Sequence, residues 1–421
     1  METRVSVEKI VNFLYNILTM KSELILPAGD LYKAKIAYLY GANACYGGLA
    51  KYSLRKAEVD FDFNTLKEAI DLAHSLGKKF YVTFNIFAHN YNLEKIEEDI
   101  KKIAAFGPDA IIASDPGVIN FVRENSDVPI HLSTQANTTN WQSVKFWKDL
   151  GVKRIVLARE LTTQEIKEIH NKVPDIELEV FVHGAMCVSY SGRCLLSAVM
   201  TGREANQGDC AQPCRWLYKG QIEERLRPGE FFPIEEDEKG TYIFNSKDLR
   251  LIDHLDKLAE AGVTGFKVEG RNKSEYYVAS IAYAYKHAIE GIKKGKLKAV
   301  LPELLEETEK INYRGYTTGF LLGKAKEGEV YPDRVSIRKY NLLGVIEKNE
   351  KAGAKLLTRN QYKVGDDVEV LTPDEVFHDK ILDIFDKNGQ VAIANPGTKD
   401  HIVWVKMGQE YSEFSMIRKK I

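Results

Sequence analysis

Long apolar runs are missing from this chain. None of its 421 residues belongs to an uninterrupted apolar stretch of the ~18 positions that a membrane-spanning helix needs, so no membrane partner is expected. Surplus charge is missing too. Lys and Arg number 59 against 60 Asp and Glu, a net charge of −1. That balance removes any global electrostatic argument for nucleic-acid binding and leaves only local patches to argue from. Cysteine is scarce, with five residues, which excludes a disulfide-dense secreted scaffold. The punctuation of common hydrolases is absent: there is no Gly-x-Ser-x-Gly elbow and no His-Glu-x-x-His helix. Residues Met1 to Met20 mix Glu, Arg and Lys with apolar residues at helical spacing, without the apolar core and cleavage site of a secretory signal. They read as a short amphipathic helix, residues 1–20, on a cytoplasmic protein.

What is present is a rhythm. Eight short apolar runs each end in a polar or glycine-rich tip: Leu24–Leu26, Ala44–Tyr46, Tyr81–Phe84, Ala110–Ala113, Ile130–Leu132, Ile155–Leu157, Glu179–Val182 and Gly265–Val268. Strands buried on both faces read this way. Helical patterns lie between them, such as Thr65 to Leu76, Leu93 to Phe106, and a segment opening at Thr162 with Glu165 three residues later, a capping box. Eight strand–helix alternations predict a (β/α)8 TIM-like barrel in preference to a doubly wound open sheet. The barrel and its closing helices should fill residues 21–334. A second module, residues 335–421, shows short alternating segments punctuated by turns such as Lys387-Asn388-Gly389, and predicts a small C-terminal antiparallel β-barrel.

One spacing breaks the rhythm. Some eighty residues, 184–264, separate the seventh and eighth runs, far more than a connecting loop needs. They should hold a hairpin-like stretch at Trp216 to Phe244 and a helix from Ser246 to Ala261. Four of the five cysteines fall here, as Cys187-x6-Cys194-x15-Cys210-x3-Cys214. Clustered cysteines in a reducing compartment mean metal or redox chemistry. Four thiolates suit either zinc or an iron–sulfur cluster, and spacing alone leaves that choice open. The bland alternatives are two disulfides or four inert buried thiols. Cys45, alone on the second run, reads as a small core residue.

The segment Glu179-Val-Phe-Val-His-Gly-Ala-Met-Cys187-Val-Ser-Tyr-Ser-Gly192-Arg-Cys194-Leu-Leu-Ser197 resembles the hallmark of the collagenase-like peptidase family U32. Glu23-Leu-Ile-Leu-Pro-Ala-Gly29, Tyr52-Ser-Leu-Arg55, Asn206-Gln-Gly-Asp-Cys-Ala-Gln-Pro-Cys-Arg215, Lys267-Val-Glu-Gly-Arg271 with Tyr276-Tyr-Val278, and Arg314-Gly-Tyr-Thr-Thr-Gly-Phe320 carry the same resemblance. The set is most similar to the prephenate-dependent tRNA uridine hydroxylase branch of that family. The resemblance implies a 4Fe–4S cluster on Cys187, Cys194, Cys210 and Cys214, with zinc the alternative. It also implies hydroxylation of the wobble uridine in a tRNA anticodon loop to 5-hydroxyuridine, with prephenate or a related dicarboxylate as co-substrate. The competing classes are a peptidase, and a non-catalytic chain that acts with a paralogous partner subunit.

Chemistry selects the remaining candidates. Hydroxylating an unactivated pyrimidine carbon needs redox chemistry that side chains do not supply, so the polar strand tips become positioning groups. Arg55, Arg159, Lys267 and Arg271 are the cations expected near the mouth, to hold carboxylates or phosphates. Glu269 would position a water or a base edge, with structural pairing to Arg271 as the alternative. Gln135 and Asn137 would read a uracil edge, with loop capping as the alternative for Gln135. His183 is the candidate proton donor, weighed against a hydrogen-bonded core histidine. In the β-module, Lys339, Tyr340, Lys348, Arg359, Tyr362, Trp404 and Lys406 are candidate RNA contacts; the aromatics read equally well as its core.

Overall fold

A computed structural model describes residues 22–53, 61–187, 246–323, 336–396 and 402–421, together with short pieces between 196 and 241. The Met1–Met20 extension, Arg55, Cys194 and Cys214 lie outside the described residues. No helix among the described residues is long and apolar enough to cross a membrane.

All eight expected barrel strands form. They are β1 (Glu23–Pro27), β2 (Ala44–Gly47), β3 (Lys79–Phe84), β4 (Ala110–Ala113), β5 (Ile130–Leu132), β6 (Arg154–Val156), β7 (Glu177–Ala185) and, after a short β8 (Asp248–Arg250), β9 (Val263–Val268). β1 to β7 pair in parallel, each with the next, and β9 closes the ring by pairing with both β7 and β1, Phe266 lying opposite Val180 and Leu24. The pleat sorts the side chains. Ile25, Ala44, Tyr46, Tyr81, Ala110 and Ile112 form one cluster inside the ring, while Leu24, Leu26, Cys45, Phe80 and Val82 join the larger core between sheet and helices.

The helices follow their caps. The helix Phe63–Ser75 begins two residues before the apolar pattern does, because the Asp62 carboxylate accepts the Thr65 amide at 2.8 Å. The capping box at Thr162 and Glu165 opens the helix Thr163–Lys172 as expected, with the Thr162 amide donating to Glu165 at 2.8 Å. The helix expected from Ser246 to Ala261 is instead β8, a 3₁₀ turn (Ile252–His254) and a short helix (Leu255–Glu260). Tertiary pairing overrides local propensity here. β8 runs antiparallel to the far end of β7, Asp248 opposite Ala185 and Arg250 opposite His183. On its other side it pairs with Tyr316–Thr317, and Arg314 binds Asp248 at 2.5 Å. The long insertion therefore leaves and re-enters the barrel at adjacent positions. Of the expected Trp216–Phe244 hairpin, the described pieces are two short pairings, Ile222–Glu223 with Phe231–Phe232 and Glu236–Asp237 with Gly240–Thr241.

The C-terminal region is an eight-stranded antiparallel sheet from Tyr340 to Lys420, with its own core of Leu343, Ile346, Leu356, Val370, Ile384, Val405 and Ile417. Its last two strands are Ile402–Lys406 and Met416–Lys420. The final strand carries the dock. Arg418 is fully buried, with its guanidinium bound to Glu307 at 2.5 and 2.6 Å and to Glu369 at 2.8 Å. Glu307 belongs to the barrel's last helix, Leu297–Glu309, and the Tyr40 hydroxyl donates to the carbonyls of Leu371 and Phe414. The expected RNA contacts are largely spent on this architecture. Tyr340 and Tyr362 are buried, Lys339 pairs with Glu309, and Arg359 pairs with Glu275. Lys348 and Lys406 are exposed, while Trp404 donates to Glu350.

Candidate active site at the barrel mouth

The barrel interior is built upward from a charged floor. Arg154, the first residue of β6, reaches Glu23 at 2.5 Å, Glu177 at 2.6 Å and Glu179 at 3.3 Å. Burial alone would raise the Glu23 carboxyl, but Arg154 and the Tyr81 hydroxyl outweigh it and hold the group below its usual range. Glu179, fully buried, binds Lys267 at 2.7 Å, and the Lys267 ammonium lies 4.4 Å from the centre of the Tyr46 ring. Gly265 leaves room for this: a Cβ there would meet the Glu179 side chain at 3.0 Å. Lys267 therefore does not stand at the mouth as expected. It is the fifth residue of β9, level with Ile25 and Phe181, and its charge is committed to Glu179 one layer down.

The mouth proper is the set of loops that follow the strand ends, where such barrels place their chemistry. Tyr46 crosses from β2 to donate to the Val268 carbonyl at 2.9 Å, with a longer contact of 3.5 Å to the Glu269 carboxylate. Glu269 is half-buried. Its amide donates to the His183 carbonyl at 2.8 Å, and its own carbonyl accepts from the Tyr277 hydroxyl at 2.6 Å. Arg271 is buried and donates to the Gly48 carbonyl at 2.5 Å. Its carbonyl lies where a Cβ on Gly29 would stand, at 2.5 Å, so it ties together the loops after β1, β2 and β9. Arg159, just past β6, lays its guanidinium 3.9 Å from the centre of the Phe181 ring.

Gln135 and Asn137 lie on a 3₁₀ turn (Thr134–Ala136) after β5. Gln135 accepts from Ser133 and so does cap its own loop. Asn137 takes the left-handed conformation, φ 53°, that ends the turn. Its Oδ1 and the Thr138 Oγ1 are buried without a hydrogen-bond partner in the structure. A buried acceptor left open costs of order 1–3 kcal/mol, so such groups ask for a ligand or a water. The Thr138 backbone carbonyl accepts the Ala158 amide at 3.2 Å, which sets these open atoms beside Arg159.

His183 is not exposed at the mouth. It is 1% accessible and sits among the rings of Tyr277, Tyr285 and Tyr316, with Nδ1 3.3 Å from the Tyr285 hydroxyl. Burial pushes its pKa down to about 3, so the ring is neutral at physiological pH and is no imidazolium donor. Its place is to support the strand that delivers Cys187. Next to it Gly184 has φ 107°, and a Cβ there would stand 2.3 Å from the Glu269 carbonyl. Only glycine lets β7 and β9 approach this closely at the rim.

Cys187 emerges two residues past β7, half-buried and free, and Cys210 is likewise half-buried and free. The Gln212 amide donates to the Cys210 sulfur at 3.4 Å, and Gln212 adopts φ 56°. An amide directed at sulfur is the setting of a ligating thiolate. Cys45 faces the helices; burial raises its thiol to about 12, which leaves it inert.

Residues 29–330 match the model of peptidase family U32, and residues 338–418 match that family's C-terminal domain. The chain belongs to peptidase family U32. It is 40% identical to tRNA hydroxylation protein P of Escherichia coli, over 93% of this chain and 94% of that one. Identity to tRNA hydroxylation protein P1 of Bacillus subtilis is 38%, over 89% of each. The 23S rRNA 5-hydroxycytidine C2501 synthase of Escherichia coli is 34% identical over 73% of this U32 chain and 46% of its own length.

Two of the mouth's components escape motif reading. Tyr46 looks like one more apolar residue of its run, and only its inward parity with Ala44 marks it. Thr138 gives no sequence signal; its open hydroxyl is visible only in the fold.

Proposed function

We propose that the chain hydroxylates C5 of the wobble uridine of tRNA to 5-hydroxyuridine, with an iron–sulfur cluster held by Cys187, Cys194, Cys210 and Cys214 and with prephenate as co-substrate. The observation that carries this reading is the delivery of Cys187 by β7 to a mouth that also presents open buried acceptors. The names of the relatives, both tRNA and rRNA modifiers, support an RNA base as the target. When bound, the cluster supplies the one-electron chemistry that the side chains lack. The chain's own residues then bind and orient. The Asn137 side-chain Oδ1 would accept the N3–H of the uracil. The Arg159 guanidinium, planar and flanked by Phe181, would take a carboxylate of the co-substrate. Tyr46 and Arg271 keep the loops around them fixed.

A peptidase reading needs a nucleophile and a free base. His183, the nearest histidine to Cys187 in sequence, is neutral, buried and set against Tyr285. The geometry therefore favours the hydroxylase.

The test is mass spectrometry of tRNA nucleosides from a strain lacking the gene. Loss of 5-hydroxyuridine and its derivatives is expected; unchanged levels, with no redundant paralogue, overturn the reading. Protein purified without oxygen should be brown and carry about four iron atoms. Cys187→Ala should remove the colour, whereas colourless wild-type protein with one zinc would refute the cluster.

A further inference from the structure

Tyr91 is the most exposed large hydrophobic side chain among the described residues. It is 81% exposed, and it lies in the loop after β3, on the same end of the barrel as the mouth. Its ring stacks on that of His89, also exposed, with centroids 5.6 Å apart and planes 24° from parallel.

The loop that presents the pair is fixed. The His89 amide donates to the Asn92 side chain at 3.0 Å, and the Asn92 amide returns to the His89 carbonyl at 3.0 Å. The Ala88 amide reaches Asp115 at 3.4 Å, and the Asn85 amide donates to the Tyr52 carbonyl at 3.0 Å. A rigid, exposed aromatic pair has already met the ordering cost that binding would impose.

Lysines lie on the elements that flank the loop. Lys51, Lys95 and Lys102 lie 2.5, 3.4 and 3.9 Å from the buried carboxylate of Asp99, and each is about half exposed. Lys95 also pairs with Glu98 at 2.9 Å, and the neighbouring Glu97 is occupied by Lys101 at 2.8 Å. With Glu94 in the first turn of the Lys95 helix, these three lysines are balanced by Glu94, Glu98 and Asp99, so they offer individual ammonium groups and no net field. Lys95 follows the loop in the first turn of its helix, Leu93–Ala104, and Lys51 belongs to the turn after β2.

We propose that His89 and Tyr91 form a stacking platform for an unpaired base of the RNA substrate, with the adjacent lysines facing its phosphates. Exposed aromatic rings on which bases stack, with ammonium groups within reach of the backbone, hold single-stranded nucleic acid without base-specific readout. The platform lies beside the mouth, so it would grip a base flanking the reacting uridine and fix the loop's entry. This rests on the RNA substrate proposed above.

The test is the affinity of the full-length chain for a fluorescein-labelled anticodon stem-loop RNA with uridine at the wobble position. Tyr91→Ala should weaken binding about ten-fold or more, and Tyr91→Phe, which keeps the ring, should stay within about two-fold of wild type. Both variants should melt with the wild type, because Tyr91 is so exposed. If wild type binds the RNA and Tyr91→Ala binds equally well, the platform is refuted while the RNA substrate stands. If wild type does not bind the RNA, the substrate itself is wrong and the platform falls with it. Unchanged RNA affinity combined with loss of a protein partner in Tyr91→Ala would reassign the pair to protein docking.

Discussion

The floor and the rim of this barrel are made of similar residues and treat them in opposite ways. At the floor every charge has an answer: Arg154 binds Glu23, Glu177 and Glu179, and Glu179 binds Lys267. At the rim, Asn137 and Thr138 keep buried oxygens open, and Tyr91 holds an aromatic ring in water. Charges that answer one another serve the fold, whereas open buried oxygens at the mouth stand where a ligand can complete them. The floor has an open group too, the His131 Nδ1, but burial keeps that ring neutral. The difference assigns stability to the floor and binding to the rim, and each half of that assignment can be broken separately.

The largest effect is expected at the floor. Glu179→Leu strands the Lys267 ammonium inside the barrel and should cost roughly 3–5 kcal/mol, read from urea unfolding midpoints. The double variant Glu179→Leu/Lys267→Met removes both charges and should recover most of that loss. If the single variant is as stable as wild type, the floor is not the structural half of the barrel.

An intermediate effect is expected from pH. His131 lies against Tyr81 at the floor, and burial, then Arg154 and Lys267, push its pKa well below the usual value. Burial lowers His183 in the same direction, to about 3. The unfolded chain binds these protons below about pH 6.5 and the folded chain does not. The stability they contribute is therefore complete above about pH 6.5 and declines as the pH falls below it, by about 1.4 kcal/mol per pH unit for each ring. Between about pH 6.5 and 5, above the carboxylate range, His131→Gln should lower the slope by about 1.4 kcal/mol per pH unit, leaving the share of His183 and of His287, which burial also lowers. An unaltered slope would show that His131 takes up a proton in the fold.

These contrasts also explain what could be read without a structure. The eight strands were legible because each is buried on both faces, and the tips because polar residues interrupt apolar runs. Lys267 was misplaced because a run shows where a strand ends but not which interior layer a residue occupies. That depends on the register between β9 and β7 and on the space Gly265 leaves. His183 stands four residues before Cys187 along the chain, but its surroundings are Tyr277, Tyr285 and Tyr316, some hundred positions further on, which no local pattern shows. The Ser246–Ala261 stretch has helical composition, but its first residues pair with β7, a partner that no local pattern reveals. The platform at His89 and Tyr91 was silent because exposure is not a property of sequence.

The smallest effect on stability should come from the rim, and it sharpens the comparison most. Asn137→Gly removes an acceptor that the folded protein leaves open, and glycine accepts φ 53° without strain. Two opposing terms act on stability. Losing the orphan oxygen favours the variant, while the freer unfolded chain disfavours it by a few tenths to about 1 kcal/mol. The unfolding midpoint should therefore move by no more than about 0.5 kcal/mol in either direction. RNA hydroxylation should respond differently. A site that hydrogen-bonds its substrate loses about ten-fold or more when that bond goes, seen as a fall in kcat/KM at unchanged protein stability. A variant that unfolds easily would place Asn137 with the floor, among the groups that hold the barrel together. A variant that is stable and fully active would mean that water fills the position in the working enzyme, and that the uracil edge is read by another group at the mouth.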